Sequence, residues 1–527
     1  MRNSSTILVA LALSGCVGSI GDGTPGGDGP GGPGVTGTDP GDPRLEARVW
    51  RLTASQYNGE LQRFFPGAPT VNVPDGSSEF GITNISLTAR IDLGNASLFN
   101  EAARSTGVWA AEQGAAAARC DTFGTPECID DFLAWFPEAA YRRPLSSDEM
   151  AQLRGVYDDT EPTYGPDWAF TALVRAVLLS PQFLYRSEVG ADGKGVVELD
   201  SYEVASLMAF SLTDAAPDAE LLADAKAGKL RDPAVREAQA RRLMDRTAPA
   251  WQRFFWEWLK MSTLFSQGNE TELDPVLVEQ LEAEYQAFVA NIVVEGRGSL
   301  KDLLTTSHTW ATPQVADYYG ATHPGGDVAE IELDPAQRGG LFTLGAWLVA
   351  HGKKGRDNVV RRGMAIYRDA MCNDIAPLNI DLEAALKDLV GADATIKEIV
   401  EARGSDGTCG ACHKVADPVG LAFETYAGDG TWQTTYPDGK PVEAEVTLDG
   451  VEFANAPQLS GALADDLSFQ RCLVRRFGHF VMGAEFGEPT KVRASEEAYD
   501  AFHDSGGSFE ELMVAIVRDP SFIERRK

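Results

Sequence analysis

The chain is 527 residues long, 43% hydrophobic and 24% charged, the make-up of a soluble globular protein with enough apolar material for several cores. Its 46 Lys and Arg against 78 Asp and Glu leave a formal charge of −32, a surface that repels nucleic-acid phosphates and anionic lipid headgroups and so excludes both as electrostatic partners. Beyond the first sixteen residues, no stretch has the ~18 or more consecutive apolar residues that a membrane span needs.

The first residues, "MRNSSTILVALALSGC", combine a basic Arg2, an apolar run from Ile7 to Leu13, and Leu13-Ser14-Gly15-Cys16. This resembles a bacterial lipoprotein signal ending in its lipobox, with Cys16 as the lipid-bearing residue after cleavage. The expectation is an exported protein held in the bacterial cell envelope by an N-terminal lipid anchor. Val17 after the Cys favours the outer membrane. Residues 17–44 are rich in Gly, Pro and Asp, cannot bury a core, and read as a flexible tether.

From residue 45 the pattern is mainly α. Thr53 and Gln56 stand at capping-box spacing before a helical run through Tyr57, Leu61 and Phe64. Residues 66–96 read as loop or small sheet. Cys120 and Cys128 flank a turn-rich hexamer and suit a local disulfide in an oxidising compartment. Two helices separated by Pro144 follow, the second capped by Ser146 or Ser147. Phe170, Leu173, Val174, Val177 and Leu178 then mark one helical face that ends at Pro181. The cluster Trp251, Phe254, Phe255, Trp256 and Trp258 reads as core, with a ligand-stacking platform as the other use of such aromatics.

One internal echo is present: "LVRAVLLSPQFLYR" at 173–186 and "LMVAIVRDPSFIER" at 512–525 align without a gap. They match Leu173 with Leu512, Pro181 with Pro520, Phe183 with Phe522 and Arg186 with Arg525. It reads as a reused packing device, a helix closed by a Pro turn whose Phe folds back on the core. A β-like piece with a hairpin signal at Pro437-Asp438-Gly439 precedes closing helices at about 456–486 and 494–518. The fold class expected is therefore mainly α, multidomain helical bundles with a small β-hairpin element near the C-terminal third. The segments are 1–16 (signal), 17–44 (tether), 45–115, 116–190, 191–335, 336–440 and 441–527.

The chemistry concentrates at "TCGACHKVADPVGLAFE", which holds Cys409, Cys412 and His413. A C-x-x-C-H run places two thiols to add across the two vinyl groups of a porphyrin and a His to bind its iron, the pattern of c-type haem attachment. Two other readings stay open: a Cys409–Cys412 disulfide with an incidental His, and a four-thiolate zinc site with Cys372 and Cys472. With Cys16 lipidated and Cys120 paired with Cys128, four cysteines remain. The haem reading pairs Cys372 with Cys472 and leaves 409 and 412 for thioethers. The zinc reading needs all four but lacks a second closely spaced pair. The distal side of the iron is expected to be open or filled by water, with Met482 and His479, and His351, Met364 and Met371 upstream, as the candidates for a sixth ligand.

The ordered chain as a whole resembles the multidomain surface proteins of planctomycetes and myxobacteria built from domains of unknown function 1587, 1595, 1592, 1588 and 1585. "RLTASQYNGEL" is similar to the first, "AAYRRPLSSDEM" with "VLLSPQFLYR" to the second, and "LDSYEVASLMAFSLTDAAPDAELLADAKAGKLRDPAVREAQARRLM" to the third. "RGGLFTLGAWLVAHGKKGRDNVVRRGMAIYRDAMC" with "CGACHKVADPVGLAFETYAGDGTWQT" resembles the fourth, and "FQRCLVRRFGHFVMGAEF" the fifth. The resemblance implies a surface or periplasmic protein with a cytochrome-c-like segment, and departs from the family in having no Trp in "FSLTDAAPD". No Ser-His-Asp set, HExxH, P-loop or GxGxxG element is evident; a hydrolase would have to assemble its site from scattered residues, and the activity expected, if there is one, is a haem-dependent redox role. The leading expectation is a haem c protein for electron transfer or redox partnering at the cell surface. The alternative is a haem-free scaffold or binding module for polysaccharide or protein, with Trp251–Trp258 and Trp432 as its contact points.

Overall fold

Several helices in this protein begin where a short polar side chain can take up a free backbone N–H. In the computed structural model, which describes residues 44–77, 81–86, 88–354, 358–373, 394–405, 410–448, 450–484 and 493–527, the Thr53–Gln56 capping box opens helix Ala54–Phe64. Ser146 with Glu149 opens Ser147–Tyr164, and Asp200 with Glu203 opens Ser201–Thr213. The lipobox Cys16, nearly all of the tether and Cys409 lie outside the described residues.

The chain is mainly α, and its described strands form small sheets of two or three strands. Between Phe65 and Asn95 the described residues are turns and loop. The Pro437-Asp438-Gly439 turn forms, with Tyr436 N–H donating to the Lys440 carbonyl at 2.8 Å, but it closes only a single bridge, Thr435 with Pro441. Pro441 has no N–H with which to extend a ladder. The regular hairpin forms later, pairing Val446–Leu448 with Val451–Phe453. Among the described residues the closing helices are Ala456–Asp465, Leu467–Met482, Arg493–Asp504 and Phe509–Arg518. Asp466 caps the second by accepting from Phe469 N–H, and Gly506 and Gly507, both at positive φ, turn the chain before the fourth.

Two apolar cores result. The smaller gathers residues from Leu52 to Leu184 with Phe210 and Ala216, so that segments 45–115 and 116–190 fill it together. The larger runs from Leu199 to Ile523 and takes in Trp50, Ile82 and Ile85, with segments from 191 onward contributing jointly. The aromatic cluster is part of this core: Trp251, Phe254, Phe255 and Trp258 are buried, and Trp251 stacks on Phe477 at 4.0 Å.

The two echoing arms adopt one design. Helix Pro166–Leu178 is followed by Ser180, whose hydroxyl accepts from Gln182 N–H, then the Pro181–Leu184 turn and strand Tyr185–Glu188. Helix Phe509–Arg518 is followed by Asp519, whose carboxylate accepts from Ser521 N–H, then the Pro520–Phe522 turn and strand Glu524–Arg526. The same N-terminal segment lies along both arms: Leu45 pairs with Arg525 and Trp50 with Arg186.

Candidate functional site

Cys412 and His413 stand at the start of helix Gly410–Leu421, and the helical repeat places Asp417 four residues on, over the same face. His413 is 6% exposed and Asp417 fully buried. The imidazole Nδ1 lies 3.0 Å from each carboxylate oxygen of Asp417. A carboxylate only accepts, so Nδ1 carries the proton, while Nε2 makes no hydrogen bond to any described residue. Arg403, from helix Ile396–Ser405, closes on Asp417 at 2.7 Å. The ring orientation is therefore set by a His–Asp–Arg chain that leaves one nitrogen lone pair uncommitted, the arrangement by which a metal-binding histidine is usually held.

The helix is seated by two backbone-to-backbone approaches. A Cβ on Gly363 would stand 2.1 Å from the Ala416 carbonyl oxygen, and one on Gly420 would stand 1.8 Å from that of Val359. Helix Asn358–Met364 thus runs antiparallel to Gly410–Leu421 at a separation only glycine permits. Continuing that register brings the π-helical turn Ala365–Ala370 alongside the first turn of the His413 helix. Arg362, fully buried, donates to the carbonyls of Phe423, Tyr426, Ala427 and Leu348 and fixes the chain just beyond the helix. Burial pushes its guanidinium down to about 10. Arg362 and Gly363 on one side, and Asp417 and Gly420 of the run Asp417-Pro418-Val419-Gly420 on the other, thus have physical roles.

Four of the other cysteines form disulfides. Cys120 bonds Cys128, and Cys372 bonds Cys472 with Cα atoms 5.5 Å apart, which removes both of the latter from a four-thiolate zinc set. His479 and Met482 are buried at the C-terminal end of helix Leu467–Met482. That end is fastened to the N-terminal segment, Arg48 donating to the Met482 carbonyl and Asn84 to that of Phe480 at 2.9 Å. Among the described residues, neither makes a hydrogen bond, ion pair or ring contact with His413. His351 donates to the Leu259 carbonyl at 2.9 Å, and burial pushes its imidazole down to about 4. The contact points of a scaffold reading are also occupied: the aromatic cluster is core, and Trp432 packs edge-on against Tyr426 at 5.4 Å. Elsewhere, the paired strands His308–Ala311 and Ala329–Glu332 bring half-buried His308 and exposed Glu330 and Glu332 together, with ligand atoms within 4.8 Å of one another.

Arg403 escaped the sequence reading because nothing local marks it. Asp417 carried a legible signal, since His and Asp at i and i+4 on a helix face each other.

Three stretches of the chain match family models. Residues 128–188 match PSD5, Protein of unknown function (DUF1595), and residues 199–321 match PSD4, Protein of unknown function (DUF1592). Residues 338–436, which contain Arg362, Gly363, Arg403, His413, Asp417 and Gly420, match PSCyt3, Protein of unknown function (DUF1588). Neither the curated proteins nor the solved structures give a match to the chain. The chain is thus a multidomain protein carrying, in order, the domains of unknown function 1595, 1592 and 1588, the last being the cytochrome-c-like PSCyt3 domain.

Proposed function

We propose that the chain holds one c-type haem through Cys409, Cys412 and His413 and serves electron transfer with a redox partner at the cell surface, anchored in the envelope by lipid on Cys16. The observation that carries this reading is the His413–Asp417–Arg403 chain, which fits the group. Nδ1–H is donated to a buried carboxylate, and Nε2 makes no hydrogen bond to any described residue. The cysteine partition agrees, since both disulfides are drawn from other cysteines. A bound haem iron would supply one-electron chemistry. The protein's part is to place the His413 ring and to hold the proton at Nδ1. The glycine contacts at 363 and 420 and the Arg362 carbonyl contacts hold the helix that does so.

The test is expression of the full chain with the cytochrome c maturation machinery, followed by denaturing electrophoresis and a haem stain. The expected result is haem that stays with the polypeptide and is lost in the double variant Cys409→Ala/Cys412→Ala. Colourless protein under conditions that load a control cytochrome would sink the proposal. Metabolic labelling with a fatty acid, abolished in Cys16→Ser, checks the anchor separately.

A further inference from the structure

The stretches "AAYRRPLSSDEM" and "VLLSPQFLYR" meet in space, and a cavity of about 400 Å³ lies where they join the Ser201–Thr213 helix. Tyr141, Arg142, Tyr185, Arg186, Tyr202 and Ser206 line it. Three of these are more than nine-tenths buried and carry polar atoms with no hydrogen-bond partner. They are Arg186 at Nε, Nη1 and Nη2, Arg142 at Nη1, and Ser206 at its hydroxyl.

A buried guanidinium ordinarily has acceptors on every edge, because an unmet charged donor costs several times what a neutral hydrogen bond contributes. Here no local carboxylate makes a hydrogen bond to Arg186 or Arg142, although Glu188 attracts Arg186 through its charge. Glu188 gives Oε2 to Arg48 and Arg525, and its Oε1 makes no hydrogen bond. Glu203 accepts from Ser187, Val189, Gly190 and Asp200, and Asp200 caps the same helix. Arg143, the third cation on the wall, is held by Glu149 at 3.0 and 2.7 Å. Arg142 has only carbonyl partners, those of Gln182, Phe183 and Tyr185. Arg186 lies 3.5 Å over the Trp50 ring, which supports it from one side and offers no acceptor. Burial pushes the Arg186 guanidinium down to about 9, which leaves it charged at neutral pH.

We propose that this cavity is a binding site for a small oxyanion, a carboxylate or a phosphate monoester, whose oxygens accept the free N–H groups of Arg186 and Arg142 and the Ser206 hydroxyl. The planar, forked donors of arginine match both anions, and the tyrosines of the wall leave room for an organic body attached to the charged group. The site falls between the stretches matched to the 1595 and 1592 domains and draws on both, Arg142 and Arg186 from the first and Ser206 from the second.

The test is calorimetric titration of the full-length chain with inorganic phosphate and, separately, with acetate at constant ionic strength, alongside thermal unfolding in each. Saturable binding of either anion at one site per chain, weakened at least about ten-fold by Arg186→Gln, supports the proposal; which of the two binds tells phosphate from carboxylate. Ser206→Ala, which removes a single oxygen, must weaken binding as well and serves if the arginine variant fails to fold. Absence of saturable binding of both anions, the mark of a cavity filled by water alone, overturns it. So does binding that Ser206→Ala and a folded Arg186→Gln leave unchanged.

Discussion

The arms 173–186 and 512–525 share a helix, a capped Pro turn, an inward Phe and a strand-borne arginine, yet the two arginines meet opposite fates. Arg525 is fully buried and saturated: it takes Glu188 through Nε and Nη2 at 2.9 and 2.6 Å and the carbonyls of Ser521, Phe522 and Glu524 through Nη1. Arg186 is as deeply buried and rests on Trp50 with no acceptor at all. One backbone device therefore serves two ends. In the C-terminal arm the arginine closes the structure, and in the N-terminal arm it faces a cavity. A repeated fragment conserves its own geometry, but the charge balance around it is set by whatever the rest of the chain brings alongside.

The largest effect that would expose this contrast is Arg525→Met. It leaves Glu188 buried with one fewer cation and should cost about 3–5 kcal/mol in urea unfolding. Acid titration probes the same pair. Burial pushes the Glu188 carboxyl up, but Arg48, Arg525 and Arg186 outweigh it and hold the group at about 2, below the free value of 4.5. Its stabilisation is thus complete above about pH 4.5 and is lost as pH falls toward 2, on the order of 3 kcal/mol, and Glu188→Gln should flatten that part of the stability curve.

Gly483→Ala comes next. Gly483 has φ 57°, and a Cβ there would stand 2.0 Å from the Trp50 indole, the ring on which Arg186 rests. A melting curve should show a loss of about 1–3 kcal/mol. The smallest effect is expected from Arg186→Met. In anion-free buffer it should change stability by less than about 1 kcal/mol, because a costly unmet charge leaves together with its packing. An Arg186→Met loss equal to that of Arg525→Met would erase the distinction between the arms.

Much of the local structure was legible because its causes are local. The Thr53–Gln56 box, the Ser146 cap, and the Pro and Phe of both arms act over a few residues, and the structure uses them as spacing demands. The stronger turn signal, Pro437-Asp438-Gly439, makes a turn but no hairpin, because Pro441 starves it of a ladder, and the strands pair around Gly450 instead. At the candidate site the Cys–Cys–His spacing was readable, and the facing of His413 and Asp417 was present in the helical period though unread.

What the sequence determined by itself is therefore the helical class, the caps, the apolar faces and the close spacing of Cys409, Cys412 and His413, all set by periodicity and side-chain chemistry within one or two turns. Tertiary structure alone decided that Arg403 meets Asp417, that Gly363 and Gly420 let two backbones touch, and that Glu188 is given to Arg525 and not to Arg186. Each of these joins separate elements, Glu188 and Arg525 lying 337 residues apart. Such a pairing is settled by which surfaces the packed cores bring together, and no local pattern encodes it.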